Sequence, residues 1–394
     1  MKISKIPVLC LLLIFAGTVS LFALDIDGKP PTFAGRDAIG IAVADVLNDK
    51  LSNAAKNGIF DSAMEEIRDQ VGSIDTKPDK FIQAWGNSSV YASQGATQRG
   101  YAGYKLFAVT MGPTVGFQLP SSPFTIANEL ENIDKKINDE KDLQLGVNPQ
   151  VFSAQVAINT SKFMLKDLYL GFRFGYMKLD SIYEDLSFST MNFGLVANYQ
   201  IVPQKKLVKG LFLWRGVNVG TGLIYQGTKI GYKYKLDTIE ESDTISENIG
   251  IGQLDAGLNL KMDPKVILDI DIRTFTIPVE VTTSVRLLWF LNLPLGLGFD
   301  FGFGKSDMSI GMSSDINVNV NANVGGTDIM NNIYQDKPGK LSVKAGGDMA
   351  PQVFNLKLMT GLGISIGPVV LDIPISWYFL DHGFSVGVTF GAVW

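Results

Sequence analysis

Residues 277–304, with the sequence IPVEVTTSVRLLWFLNLPLGLGFDFGFG, decide the fold class because large apolar side chains occupy alternate positions. In residues 293–303 the alternate positions hold leucine or phenylalanine, and glycine, proline or aspartate stands between them. This period of two predicts β-strands with one apolar face and one small or polar face. Only a few residues around Asn292 separate the two runs, so we expect them to form a hairpin.

The same alternation recurs along the chain, for example in residues 168–176 and 217–225. About thirteen such runs lie between residues 101 and 394, and one more near residues 81–92 would give the even number usual in bacterial barrels. Large apolar side chains outside and small or polar ones inside are expected when lipid surrounds a closed sheet. The sequence therefore predicts an all-β fold, a transmembrane antiparallel β-barrel of about 14 strands. A β-sandwich or β-solenoid is the water-soluble alternative, since its strands also alternate.

The last residues of the chain continue the alternation and end on an aromatic side chain. This ending resembles the C-terminal assembly signal of outer-membrane barrels, and it implies the barrel-assembly machinery as a partner. The apolar positions of this signal are Phe384, Val386, Val388, Phe390 and Trp394.

The N-terminus has the three parts of a secretory signal. Lys2 and Lys5 precede an apolar run at residues 6–16, and the small residue Ala23 follows. We expect a signal peptide over residues 1–23, with Ser20 as the other candidate for the cleavage position. The only cysteine, Cys10, lies inside the apolar run, so the mature chain would contain no disulfide.

The segment before the barrel differs from it in period. Ile39, Val43 and Leu47 recur at helical spacing, as do Phe60 and Met64 with the residues that follow them. We therefore expect residues 24–84 to form a helical plug or a periplasmic segment, and residues 85–394 to form the barrel. A plug is favoured because an unfilled barrel of this size would have a wide lumen.

Composition and motifs argue against several classes of function. The chain has 34 Lys and Arg residues against 39 Asp and Glu, so it lacks the basic charge that nucleic acids require. Gly383, Ser385 and Gly387 match a short hydrolase pattern, but that pattern needs a strand-to-helix elbow and these residues continue a predicted strand. No cluster of histidine, cysteine and carboxylate residues has the spacing that is usual for metal ligands. We expect neither enzymatic activity nor a cofactor or metal.

Charged residues on the predicted inward faces are the candidate functional residues. They could form a network in which opposite charges pair with one another and stabilise the wall or the plug, because cross-strand neighbours can pair. They could instead line a path for solutes, as charged rings do in pores. The lumen-lining candidates are Arg173, Asp255, Asp269, Asp271, Arg273, Glu280, Arg286 and Asp300.

A barrel of about 14 strands behind a helical segment resembles the FadL-like outer-membrane transporters for long-chain fatty acids and other hydrophobic solutes, and similar spirochaetal proteins. Where that family carries an Asn-Pro-Ala stretch in its hatch, this chain has Asn87, Ser88 and Ser89. The resemblance implies a cell outer-membrane location, contact with outer-membrane lipid, and passive uptake of a hydrophobic small molecule. The alternatives are a general porin for small polar solutes and a non-transporting surface barrel that presents residues 305–352, the longest predicted external loop.

Overall fold

The computed structural model describes residues 25–56, 78–93, 106–119, 145–162, 165–180, 186–208, 211–236 and 238–394. The expected signal peptide and the helix expected around Phe60 lie outside these residues. The described part forms two compact units. Unit 1 draws on residues 25–56, 232–268 and 309–346, and unit 2 on the remaining described residues.

Strands make up most of the described chain, so the predicted all-β fold is confirmed. The helices are α1 (Ala38–Lys56) and α2 (Pro78–Ser93), with short 3-10 helices at Thr160–Lys162 and Met330–Asn332. The strands are β1 (Asp25–Lys29), β2 (Thr32–Gly35), β3 (Phe107–Gln118), β4 (Gly146–Asn159), β5 (Leu168–Asp180), β6 (Leu186–Val202), β7 (Lys205–Val208), β8 (Phe212–Lys235), β9 (Ile239–Asn248), β10 (Gln253–Met262), β11 (Lys265–Leu287), β12 (Leu291–Val324), β13 (Thr327–Asp328), β14 (Ile333–Lys337), β15 (Gly339–Met349), β16 (Phe354–Ile366), β17 (Val369–Tyr378), β18 (Gly383–Gly387) and β19 (Thr389–Val393).

The strands of unit 2 close into a ring. β3, β4, β5, β6, β8, β11, β12, β16 and β17 are hydrogen-bonded in this order, and β18 with β19 lies between β17 and β3. A closed ring leaves no unpaired strand edge, which is the defining property of a barrel. The predicted antiparallel barrel is thus confirmed.

The structure differs from the prediction in strand number. When β18 and β19 are counted as one interrupted strand, ten strands close the ring among the described residues, whereas the sequence predicts about 14. The runs at 213–226 and 229–238 join in β8, and those at 265–275 and 277–290 join in β11. β8 continues through Gly227 without a turn. The hairpin expected near Asn292 is present, with its turn at residues 288–290.

The predicted last strand closes the ring. β18 and β19 pair with β17 on one side and with β3 on the other. Phe390 is 51% exposed, and the ring of Trp394 stacks on Phe107 at 4.6 Å between centroids. Recognition of this strand by the assembly machinery stays a prediction.

Unit 1 has a buried apolar core. β10 pairs with β9 and with the last part of β12, and the alternate residues of these strands pack against α1. Val43 and Leu47 of α1 and Leu254 of β10 are fully buried in this core. Residues 305–352, which the sequence predicts as a long loop, instead contain the end of β12 and the whole of β13, β14 and β15.

Local signals explain where α1 begins and how it is held. Asp37 precedes the helix, and its Oδ1 accepts a hydrogen bond from the backbone N–H of Gly40 at 2.7 Å, which caps the first turn. Asn48 accepts from the backbone N–H of Phe33 at 2.8 Å and donates to the carbonyl oxygen of Phe33 at 3.0 Å. α1 is therefore tied to β2 within unit 1.

Candidate functional site: the filled interior of the barrel

The two faces of the barrel wall in unit 2 differ in polarity. Arg173 of β5 is fully buried, whereas its neighbours Phe172 and Phe174 are 52% and 48% exposed. On β6, Leu195 is 64% exposed and Asn192 is fully buried. Polar side chains inside and apolar ones outside are the reverse of the arrangement in unit 1. This reversal is favourable only when the surroundings of the wall are apolar.

Helix α2 fills the interior of the ring, and side-chain hydrogen bonds join it to different strands. The Asn87 Nδ2 atom donates to Gln118 Oε1 at 2.8 Å. Ser89 shares a hydrogen bond of 3.0 Å with Thr274 on β11. Because α2 is bonded to β3 and to β11, which are not neighbours in the ring, it bridges the interior.

The position of α2 corrects two expectations. A strand was expected near residues 81–92, and that prediction is wrong because these residues are helical. Pro78 and Asp79 favour a helix start, since a proline fits the first turn and a carboxylate interacts well with the helix N-terminus. The expected domain boundary between residues 84 and 85 falls within this helix.

Small residues let α2 approach the strands closely. A Cβ atom on Gly116 would lie 2.2 Å from the carbonyl oxygen of Ser88, and one on Gly146 would lie 2.1 Å from that of Ala84. Both glycines therefore mark places where the backbone of α2 touches the backbone of a strand.

We expect Gly116→Val to destabilise unit 2 by about 1–3 kcal/mol, because the added methyl groups would overpack the contact with α2. The measurement is the temperature at which the folded band disappears in heat-modifiability gels. Gly257→Val is the matched control, since the nearest atom to a Cβ at Gly257 is 3.9 Å away. Equal behaviour of the two variants would contradict the close contact.

A buried ionic cluster lies in the wall facing the interior. The Nζ atom of Lys357 is 2.5 Å from Glu280 Oε1 and 2.6 Å from Asp300 Oδ1. All three side chains are at most 3% exposed. A charge buried in this way is stable only when it is paired, because desolvation costs several kcal/mol per ion.

Strand register explains how residues from three strands meet. Lys357 on β16 is opposite Gly298 on β12, and β12 separates it from Glu280 on β11. A Cβ at Gly298 would lie 3.2 Å from Glu280 Cγ. Because Gly298 has no side chain, the lysine can extend past it to the carboxylate of Glu280.

Arg173 belongs to the same electrostatic environment. Its Nε atom donates to Ser153 Oγ at 2.9 Å, and its charge interacts with that of Glu280. The buried cations Arg173 and Lys357 thus balance the carboxylates of Glu280 and Asp300. The wall can hold these charges without a counter-ion.

The structure brings some of the sequence candidates together and separates others. Arg173, Glu280 and Asp300 are buried in the interior of unit 2. Arg286 is half-buried on the same face of β11 as Glu280, and its charge acts on Arg215. Asp255 lies in unit 1, where it is exposed and accepts a hydrogen bond from Ser246 at 2.6 Å.

The inward orientation expected for Asp269, Asp271 and Arg273 is wrong. β11 is continuous, and its even-numbered residues are buried from Val266 to Ser284, so these three odd-numbered residues lie on the opposite face. Arg273 and Asp271 form an ion pair of 2.6 Å there. The expectation failed because the buried alternate positions change from apolar to polar along one strand.

Sequence reasoning missed Lys357 and the residues of α2. Lys357 stands at an alternate position of the apolar run 354–366, between Leu356 and Leu358, so its inward orientation was readable from the period. Nothing in the local sequence indicates that Tyr91 of α2 lies near Lys357. Its ring stacks on Tyr378 of β17 with 3.9 Å between centroids.

A small recess interrupts the apolar outer face where β5, β6 and β8 adjoin. It has a volume of about 300 Å³ and an almost wholly apolar lining. The lining residues are Leu170, Gly171, Leu195, Val196, Ala197, Gly222 and Leu223.

A family model described as Lsa36-like matches residues 38–394. The chain belongs to the Lsa36-like family. The matched range includes both helices, the closing strands of the ring and the cluster around Lys357, whereas β1 and β2 precede the Lsa36-like region. No curated protein matches the chain.

Solved structures similar to the chain have low sequence identity and low TM-scores. The translocator domain of the autotransporter NalP from Neisseria meningitidis is 9% identical with a TM-score of 0.25, covering 77% of this chain and 92% of its own. The toluene transporter TodX of P. putida is 7% identical with a TM-score of 0.24, covering 82% and 99%. The monoaromatic hydrocarbon channel CymD is 10% identical with a TM-score of 0.23, covering 80% and 97%. At such scores, the strand pairing of unit 2 remains the basis for describing it as a barrel.

Among the described residues, no helix combines the length and apolar character needed to cross a membrane. Within the same ranges, no group of three or more histidine, cysteine, aspartate or glutamate side chains is arranged to hold a metal ion.

Proposed function

We propose that the protein crosses the outer membrane through unit 2 and allows passive uptake of hydrophobic small molecules such as fatty acids, as the resemblance to FadL-like transporters implies. The membrane location is supported by the reversed polarity of the wall, whose outer face is apolar and whose inner face is polar. Exposed leucine and phenylalanine side chains, with Leu195 at 64%, would be costly in water and are favourable in lipid.

The recess on the outer face supports a hydrophobic solute. Leu170, Leu195 and Leu223 border it, and its lining is almost wholly apolar. An apolar molecule that partitions into lipid could occupy this recess without burying any polar group. Because α2 fills the interior of the ring, a solute on a direct path through it would have to displace that helix.

Two other functions each have one observation in their favour. The polar interior, with Glu280, Asp300 and Lys357, favours a porin for small polar solutes once α2 is displaced. The separate apolar core of unit 1 favours a surface protein that presents residues 305–352, because a folded domain can offer a rigid binding surface.

Purified protein in lipid vesicles tests the three functions. We expect wild-type protein to transfer a labelled fatty acid to the vesicle lumen and to give no steady ion current in planar bilayers. Ala197→Trp should reduce the transfer several-fold by filling the recess, whereas Val281→Trp, at a 50% exposed position outside the recess, should not.

The outcomes separate the proposals. A steady current carried by the wild-type protein would favour the porin. Absence of both current and fatty-acid transfer from correctly folded protein would overturn transport and favour the surface role.

A further inference from the structure

The ionic cluster and helix α2 are connected through two aromatic side chains. Lys357 is the direct register partner of Tyr378 on β17, and Tyr378 stacks on Tyr91 of α2 at an interplanar angle of 24°. Tyr91 and Tyr378 are both fully buried. A shift of the lysine therefore acts on the surface against which α2 packs.

A second connection runs through the adjacent register row. Asp300 on β12 is opposite Asn355 on β16. The hydroxyl of Tyr91 donates a hydrogen bond to Asn355 Oδ1 at 3.2 Å. Two of the strand residues that contact Tyr91 are thus the immediate neighbours of Lys357 and of Asp300.

We propose that Lys357, held between Glu280 and Asp300, is a latch that keeps α2 inside the barrel. This inference rests on the proposed role of unit 2 in transport, since it names the contact that opens the barrel. Without the ammonium group, two carboxylates would remain buried on neighbouring strands, and the charge of Arg173 would balance only one of them. The unbalanced negative charge attracts water and would disrupt the surface under Tyr91.

The geometry distinguishes this latch from an ordinary wall contact. The carboxylates belong to β11 and β12 and the lysine to β16, so the ion pairs cross-link three strands at the place where α2 is stacked. By contrast, the hydrogen bonds of Ser89 and Ser93 join α2 to neutral hydroxyls of β11 at 3.0 and 3.1 Å. Neutral hydroxyl groups can exchange their protein partners for water at little cost in free energy. Removing one ion from a buried cluster costs much more, because it leaves an opposite charge unpaired.

A thiol on α2 reports whether the helix leaves the interior. Ser88 is fully buried, and its hydroxyl bonds only within the helix, to the carbonyl oxygen of Trp85, so Ser88→Cys in a Cys10→Ser background changes no described contact with the wall. The measurement is the rate of maleimide labelling of this thiol in vesicles, with heat-modifiability gels as the test of folding.

We expect Lys357→Met to label at least about tenfold faster than the parent, because loss of the latch raises the population of the open state. The double variant Asp300→Asn, Lys357→Met removes one charge of each sign and leaves Glu280 to balance Arg173, so it should label at nearly the parent rate. If Lys357→Met does not fold, Tyr378→Leu provides the same test, since it removes the stack on Tyr91 without changing charge.

Fatty-acid transfer and ion current are measured on the same variants. Parent-like labelling of folded Lys357→Met, or of Tyr378→Leu where it replaces that variant, would overturn the latch. Equally fast labelling of the double variant Asp300→Asn, Lys357→Met would also overturn it, because the effect would then not depend on uncompensated charge. Fast labelling without passage of any solute would support the latch and count against transport.

Discussion

Leu195→Lys is expected to destabilise the folded barrel in lipid vesicles by about 2–4 kcal/mol, the cost of a lysine on the lipid face near the membrane midplane. Leu195 points outward from β6 opposite Phe172, near the middle of the β5 and β6 pairing. The measurement is urea unfolding in vesicles, followed by tryptophan fluorescence.

Asn319→Lys is the matched control for this substitution. Asn319 also lies on a strand and is exposed, but it belongs to unit 1. We expect its free energy of unfolding to change by no more than about 0.5 kcal/mol, as for most surface substitutions. If Leu195→Lys were equally neutral, the outer face of unit 2 would be in contact with water, and the membrane location would have to be abandoned.

Leu47→Ala is expected to lower the free energy of unfolding of unit 1 by about 2–5 kcal/mol, because it leaves a cavity in a closely packed core. Leu47 is fully buried between α1 and the sheet that includes β10. Urea-dependent trypsin cleavage at the exposed residues Lys50 and Lys261 measures this effect.

The control on the same helix is Asn53→Ala, at an exposed position whose side chain donates a hydrogen bond to Asp49 at 3.2 Å. It should change the free energy of unfolding, calculated from the cleavage midpoint, by no more than about 0.5 kcal/mol. A comparable loss of stability in both variants would show that α1 is not packed on an apolar core.

The pattern of residues determined the character of unit 2 before any tertiary contact was known. Alternation in residues 277–304 predicts strands, the run that ends at Trp394 predicts the closing strand, and the spacing of Val43 and Leu47 predicts α1. These predictions succeed because periods of two and of 3.6 residues follow from local backbone geometry. The helical state of α2 was missed because the even strand number expected of a barrel assigned residues 81–92 to a strand.

A period of two does not reveal which face of a strand points inward. For Asp269 and Arg273 the answer depends on the continuous register of β11, and the apolar side chains at Val266 and Leu268 gave the opposite expectation. The inward direction is a property of the closed sheet, not of the residues themselves.

The sequence by itself determined that apolar residues alternate with small or polar ones along the strands, and where the last strand ends. It also determined that few charged residues are candidates for the barrel interior. Only the tertiary structure decided that Lys357 meets Glu280 and Asp300, which are 77 and 57 residues away along the chain, and that Tyr91 of α2 stacks beside them. The physical reason is that strand register and helix placement are collective: each depends on which distant backbones hydrogen-bond, and no local period encodes that choice.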